Sequence, residues 1–228
     1  MKEKIIKPIA YISNGFKEKF GIPRQSGRVQ ELKSKIIFYP EYRNSDALRE
    51  IKNFSYLWLI FDFSKNEYKS FTPTVRPPRL GGNKKVGVFA SRSPFRPNGL
   101  GLSSVKLIDV IYDEKFGDTL MVGGADLLDG TPIYDIKPYI PSSDCHENAI
   151  GGYSEEFTDY KLNVNFPEEL KKDLNNEDLL VIIGCLSEDP RPGYKDDDSE
   201  YGMAYKNINV KFKVDKKDLY VTKIEITQ

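Results

Sequence analysis

A chain of 228 residues has the length of one large domain, or of a main domain with a small appendage, and builds a core without disulfide staples. With 34 basic and 34 acidic side chains it lacks the basic excess of dedicated nucleic-acid binders, although a neutral chain still has room for a local basic patch. Cys145 and Cys185 alone exclude a disulfide framework and fit a reducing cytoplasm, and the longest apolar runs, 56–61 and 179–183, are too short to cross a bilayer.

In chain order, residues 1–6 carry charges but no apolar run of the signal-peptide kind. Residues 5–12 read as an edge strand, because Pro8 cannot donate to a central ladder. Residues 35–39 and 56–63 are short, aromatic and β-branched, as strands require. Between them, 45–51 reads as a helix capped by Ser45, with Leu48 and Ile51 on one face. Residues 86–90, 103–112 and 119–126 continue the strand series, and the alternation in 103–112 slips once, as a bulge predicts. Such a series argues a mostly antiparallel β-barrel or sandwich. After Tyr153 the pattern changes. Residues 166–174 read as a helix with Pro167 in its first turn, and 179–186 as a buried element whose period does not tell helix from strand. Residues 207–214 and 219–226 read as a hairpin, which makes 154–228 a small α+β unit after a β domain at 1–153. The acid run Asp196-Asp197-Asp198 reads as a solvated loop.

Chemistry concentrates between residues 76 and 141. Arg76-Pro77-Pro78-Arg79-Leu80-Gly81-Gly82-Asn83-Lys84-Lys85 is a shaped loop, stiffened by paired prolines and freed by paired glycines. Ala90-Ser91-Arg92-Ser93-Pro94-Phe95-Arg96-Pro97-Asn98-Gly99 repeats that mixture with an aromatic added. Arg76, Arg79, Lys84, Lys85, Arg92 and Arg96, with Lys69 just upstream, meet no acid until Asp109. Arginine forks pair with phosphate or carboxylate, so the stretch suits local phosphate recognition; two solvated loops are the plainer alternative. Gly99-Leu100-Gly101 is no dinucleotide fingerprint, since a Pro-rich loop precedes it and a β-like stretch follows. Asp126-Leu127-Leu128-Asp129-Gly130-Thr131-Pro132 is a strand end and tight turn, and Asp135-Ile136-Lys137-Pro138-Tyr139-Ile140-Pro141 a stiffened exit. His146, the only histidine, has too few partners for a metal site, so no metal is expected.

These segments resemble the TrmO/TsaA family of tRNA methyltransferases. The resemblance is carried by 11–27, with Lys17-Glu18-Lys19-Phe20-Gly21-Ile22-Pro23-Arg24-Gln25, by 74–83, 86–98 and 126–141, and by Glu188-Asp189-Pro190-Arg191-Pro192-Gly193-Tyr194 and Tyr201-Gly202-Met203. It runs collinearly through nearly the whole chain. Gly99 and Ser26 stand where the family pattern has proline. The resemblance implies a single-sheeted antiparallel β-barrel rather than a Rossmann fold, with a small C-terminal α+β extension. It also implies a cytoplasmic homodimer that binds S-adenosyl-L-methionine near the subunit interface and methylates threonylcarbamoyladenosine in the tRNA anticodon loop. By motif position the cofactor contacts are Gln25, Ser26, Gly27, Arg92, Leu102, Leu128, Asp129, Gly130 and Thr131.

Methyl transfer is an in-line displacement, so alignment of the reactants and control of one proton dominate. Asp126, Asp129 and Asp135 are the candidate catalytic proton acceptors, and the sequence does not rank them. Arg92 or Arg96 suits the threonine carboxylate, and Arg76, Arg79 and Lys137 suit anticodon phosphates. Tyr139 or Phe95 would stack on an extruded base, with core packing the alternative for each. A non-catalytic RNA-binding β-barrel module and a metal-dependent phosphoesterase are the rival readings.

Overall fold

The computed structural model describes residues 3–66, 71–81, 84–191 and 199–227. Its strands are β1 (Ala10–Ser13), β2 (Lys33–Phe38), β3 (Tyr56–Asp62), β4 (Thr74–Val75), β5 (Val86–Gly87), β6 (Leu100–Asp113), β7 (Gly117–Gly123), β8 (Pro132–Pro138), β9 (Asn163–Asn165), β10 (Tyr201–Tyr205), β11 (Ile208–Asp215) and β12 (Asp218–Ile226). The helices are α1 (Pro141–Asp144), α2 (Glu168–Lys171) and α3 (Asn176–Ser187). Six strands close on themselves in the order β1-β2-β7-β6-β3-β8, and β1 shuts the ring by pairing with β8, Ala10 opposite Ile133.

Alternation builds this ring. In β3, Leu57, Leu59 and Phe61 point inward while Tyr56, Trp58, Ile60 and Asp62 face out. Ile12, Ile36, Val105, Leu120, Val122 and Ile133 complete the packing inside. Phe61 lies opposite Gly101, where a Cβ would come within 2.3 Å of its ring, so a glycine is required there. The predicted phase slip is real: the β6–β7 register shifts between Leu107 and Asp109.

Antiparallel pairing dominates, as the sequence predicts, and further sheets stand beside the ring. A four-stranded sheet, β10-β11-β12-β9, and a two-residue ribbon, β4-β5, accompany the ring. Several local readings also change. Residues 45–51 form no α-helix; two 3-10 turns, Ser45–Leu48 and Ile51–Asn53, replace it, and the cap is Asn44, whose side chain accepts from the Asp46 amide. Strand 86–90 is only two residues long before a 3-10 turn, and residues 5–9 precede β1 without joining it. The stiffened exit at 135–141 begins inside a full strand, β8, whose prolines sit at its two ends, and reaches α1 at Pro141. Residues 179–186 lie in helix α3, capped by Asn175 and opened by Glu177 and Asp178. The helix at 166–174 shrinks to the single turn α2.

A second core forms between α3 and the four-stranded sheet, from residues such as Val181, Ile182, Leu186, Val210, Phe212 and Leu219. It also takes in Phe16, Val29 and Leu32, which lie between β1 and β2. The acid run at 196–198 lies outside the described residues.

Candidate active site

Strand directions decide where the loops go. The β1–β2 connection (14–32), the β3–β6 connection (63–99) and the β7–β8 connection (124–131) all leave the same end of the ring. Those three loops hold every cofactor candidate from the sequence except Leu102, which sits near the start of β6 at that same end.

Two of these loops are stitched together by short bonds. The Asn14 side-chain amide donates to the Leu127 carbonyl (2.8 Å), and the Asn14 backbone amide donates to Asp129 Oδ1 (2.9 Å). In return the Asp129 and Gly130 amides donate to the carbonyls of Phe16 (2.9 Å) and Ile12 (2.8 Å). The Gly27 amide reaches the Gly124 carbonyl at 2.8 Å, and a Cβ on Gly124, with φ +73°, would stand 3.1 Å from Gly27 backbone atoms. Asp129 thus anchors the turn through Asn14.

Asp126 has the most unusual setting. The Ser103 hydroxyl donates to its Oδ1 at 2.6 Å, and the Ser26 amide also approaches the carboxylate. Asp126 as a residue is half-buried, and its carboxyl group meets buried Ser103. Burial pushes its pKa above the usual carboxylate range, against the opposing pull of Ser103, Arg92 and Ser26. Arg92 donates through Nη1 to Gln25 Oε1 at 2.7 Å, and the Ser26 hydroxyl donates to the Ser104 carbonyl. Gln25, Ser26, Arg92, Ser103 and Asp126 therefore converge from three loops and the start of β6.

The arginine loop is held by its own side chains. Ser91 Oγ donates to the Val88 carbonyl (2.9 Å), Ser93 Oγ accepts from the Phe95 amide (3.2 Å), and Arg96 Nη1 donates to the Ser91 carbonyl (3.0 Å). Arg96 is half-buried and frames the loop, whereas Arg92 and Phe95 are exposed. Gly99 takes φ +61°, an angle closed to the proline of the family pattern. Arg76 is exposed beyond β4; the Arg79 side chain, Gly82 and Asn83 lie outside the described residues.

On the outer face, register places Leu102, Ile60 and Asp135 in one row across β6, β3 and β8, and Ser104, Trp58 and Lys137 in the next. Leu102 is 54% exposed, and Asp135 pairs with Lys137 Nζ at 3.0 Å. Tyr139 lies past the far end of β8, about 20 Å along the strand from the 124–131 turn. There it packs on Trp58 (5.6 Å) and Tyr56 (6.3 Å), and Trp58 Nε1 donates to Asp144 Oδ2 at 2.9 Å. The Ile140 amide and the Trp58 indole hold the Asp144 carboxylate below its usual range. The sequence reading missed Asn14, Trp58 and Ser103. Ser103 left a signal, a polar residue in the inward phase of β6 between Gly101 and Val105.

The tRNA-methyltransferase O N-terminal domain model matches residues 11–145, and the TrmO C-terminal domain model matches residues 159–227. The chain belongs to the tRNA-methyltransferase O family. Among relatives of this family, the tRNA (adenine(37)-N6)-methyltransferase of Escherichia coli K12 is 38% identical over 215 residues, covering 90% of this chain and 91% of its own. A putative S-adenosylmethionine-dependent methyltransferase, RcsF, of Pseudomonas aeruginosa is 35% identical over 224 residues, covering 94% of each. A crystal structure of TrmO from P. aeruginosa superposes with a TM-score of 0.80 at 29% identity, covering 100% of this chain and 99% of that one. No helix among the described residues is long and apolar enough to cross a membrane.

Proposed function

We propose that this protein methylates N6 of threonylcarbamoyladenosine in the tRNA anticodon loop, at the ring end where Gln25, Arg92 and Asp126 converge. Family membership makes it an S-adenosylmethionine-dependent methyltransferase that modifies tRNA adenine at N6. The observation that supports the threonylcarbamoyl substrate is the exposed Arg92 guanidinium close enough to Asp126 to act on its charge, since an arginine fork suits the threonine carboxylate.

The donor set fits the cofactor. Gln25 and Arg92 offer an amide and an exposed guanidinium, and Leu102 offers apolar surface. Gly27 (φ +79°) and Gly130 (φ +75°) have nothing within 4 Å of a Cβ position, which leaves that side of their backbone open to contact while their amides bond to Gly124 and Ile12. Leu128, Asp129 and Thr131 shape the turn, with Asp129 locked onto Asn14. S-adenosylmethionine, when bound, supplies a methyl group on an electrophilic sulfonium. Asp126 is our choice for the proton acceptor, because its raised pKa suits it to take the urea-like N6 proton. Asp135, in the Leu102 row, is the alternative. Arg92, exposed, or Arg96, half-buried in its own loop, would serve the threonine carboxylate, and Arg76 and Lys137 the anticodon phosphates; Tyr139 would stack on a base of a more distant part of the tRNA.

We further read the six-stranded ring as the single-sheeted β-barrel of the family, and 1–153 and 154–228 as two units, with 14–32 lent to the second core. Exposed Phe89, Phe95 and Leu102 support a homodimer that covers the cofactor site, and the two unpaired cysteines support a cytoplasmic setting.

Mass spectrometry of tRNA nucleosides from cells with and without the gene tests the substrate. The expected result is loss of the methylated threonylcarbamoyladenosine alone. Loss of a plain N6-methyladenosine instead, or no change, defeats the proposal. In vitro, Asp126→Asn is expected to lower kcat by about 10²–10⁴ with little change in cofactor Kd, while Asp135→Asn retains most activity. The reverse order moves the proton to Asp135.

A further inference from the structure

We infer that the C-terminal unit braces the 24–28 loop in the shape that meets the cofactor, with Arg28 as a positioning residue. The inference rests on the reading of Gln25, Ser26 and Gly27 as cofactor contacts.

The loop is held from two sides. Its middle, 25–27, meets the ring through the bonds already described. Its flanks are held by the other unit. Arg28 Nε pairs with Glu188 Oε2 at 2.8 Å, and Arg28 Nη1 donates to the Thr158 carbonyl at 2.7 Å. Glu188 is only 4% exposed, so the pair is shielded from screening by salt. Arg24 Nη2 donates to the carbonyls of Asp189, at 3.4 Å, and of Arg191. Beside Arg28, buried Val29 lies against Gly184 of α3, where an added Cβ would meet Val29 Cγ1 at 2.8 Å. Helix and loop therefore touch with no room to spare.

Between these anchors the loop contains Gly27, in the left-handed region and without a side chain to limit it, and would sample many shapes if released. Each conformer other than the competent one lowers the apparent affinity in proportion to its population. The ion pair spans 160 residues of sequence, from the first loop to the end of α3. It gives the family's C-terminal domain a task inside its own chain, distinct from touching RNA.

The test uses the full chain, with calorimetric titration of S-adenosylmethionine, hydrogen exchange across 24–28 in ligand-free protein, and tRNA affinity by filter binding. Arg28→Met is expected to raise the cofactor Kd about tenfold, as when the competent shape falls to a tenth of the population. Exchange at 24–28 should speed up and tRNA affinity stay within about twofold. Arg28→Lys, which keeps the charge, should recover part of the loss. Gly184→Ala, which changes no charge, should act in the same direction by pushing on Val29, and it decides the matter if Arg28→Met does not fold. A folded Arg28→Met with parental cofactor Kd and parental exchange overturns the brace. So does loss of tRNA affinity alone, which would make the unit an RNA contact. Gln25→Ala and Arg92→Ala separate the two levels: if they weaken cofactor binding and Arg28→Met does not, only the brace fails. If they too bind normally, the cofactor reading fails and the brace with it.

Discussion

Asp126 and Asp189 lie on opposite flanks of the same loop and manage a desolvated charge in opposite ways. Asp126, at the ring end, has a serine hydroxyl as its closest partner, and burial wins: its pKa rises. Asp189, in the C-terminal unit, is also pushed up by burial. The Arg191 fork (2.9 and 3.0 Å) and the Tyr160 hydroxyl (3.1 Å) outweigh that push and hold it below the usual range. A carboxylate committed to an arginine is a structural tie, whereas one left beside a hydroxyl, with its pKa raised, binds a proton more readily than an ordinary aspartate. The difference separates the part of the molecule built for chemistry from the part built to hold it.

The largest expected effect asks whether the two parts are separable at all. Leu59→Ala empties a fully buried ring position and should cost about 2–5 kcal/mol. Because Phe16, Val29 and Leu32 join the ring's first connection to the other core, fluorescence of Trp58 and far-UV circular dichroism should shift together in denaturant. Two separate transitions would split the molecule. Next, Arg92→Ala removes a charged hydrogen bond and should weaken cofactor binding roughly tenfold to hundredfold by calorimetry. The corresponding change on the other flank, Lys161→Ala, removes only a 3.7 Å exposed partner of Glu188 and should leave binding unchanged.

Smaller, but of opposite sign, are the two pH effects. A raised folded pKa means that Asp126 ionisation opposes folding as pH rises above the ordinary 3.8. Asp126→Asn should therefore raise the melting temperature at neutral pH, with the gain fading below about pH 4. Asp189 has a lowered folded pKa, so its contribution is present above 3.8 and lost as pH falls through the folded value. Asp189→Asn should lower the melting temperature at neutral pH, with the loss fading in acid. Melting curves of the same sign for both variants would erase the contrast. The smallest effect concerns the thiols. Cys145 is exposed, while burial, with Glu188 and Glu31 nearby, pushes Cys185 up to about 12. A thiol reagent at pH 8 should label one cysteine in the native chain and both in denaturant.

Local order explains what the sequence disclosed. The alternation in β6, including the slip near Leu107, and the β11–β12 hairpin were legible because one-sided burial leaves a period of two, whereas β3 showed only its apolar, aromatic composition. β8 was hidden because its terminal prolines resemble loop punctuation, although proline is tolerated at strand ends. Helix α3 was ambiguous by period, yet Asn175, Glu177 and Asp178 carried the start signal. Within the site, the motifs named Gln25, Arg92 and Asp126, but nothing local says that they meet. The Arg28–Glu188 pair and the turn of Asp126 toward Ser103 are products of closure, which brings residues far apart in sequence to one end of the ring.

That closure also sets a timetable for a nascent chain. β1 emerges early, yet one of its two partners, β8, ends at Pro138, so the seam stays open until well over half the protein has left the ribosome. Phe16, Val29 and Leu32 wait longer still, since their neighbours on α3, β11 and β12 are among the last segments made. Early residues of the loop that carries Gln25 thus stay uncovered through most of translation, and the site matures only with the final strands.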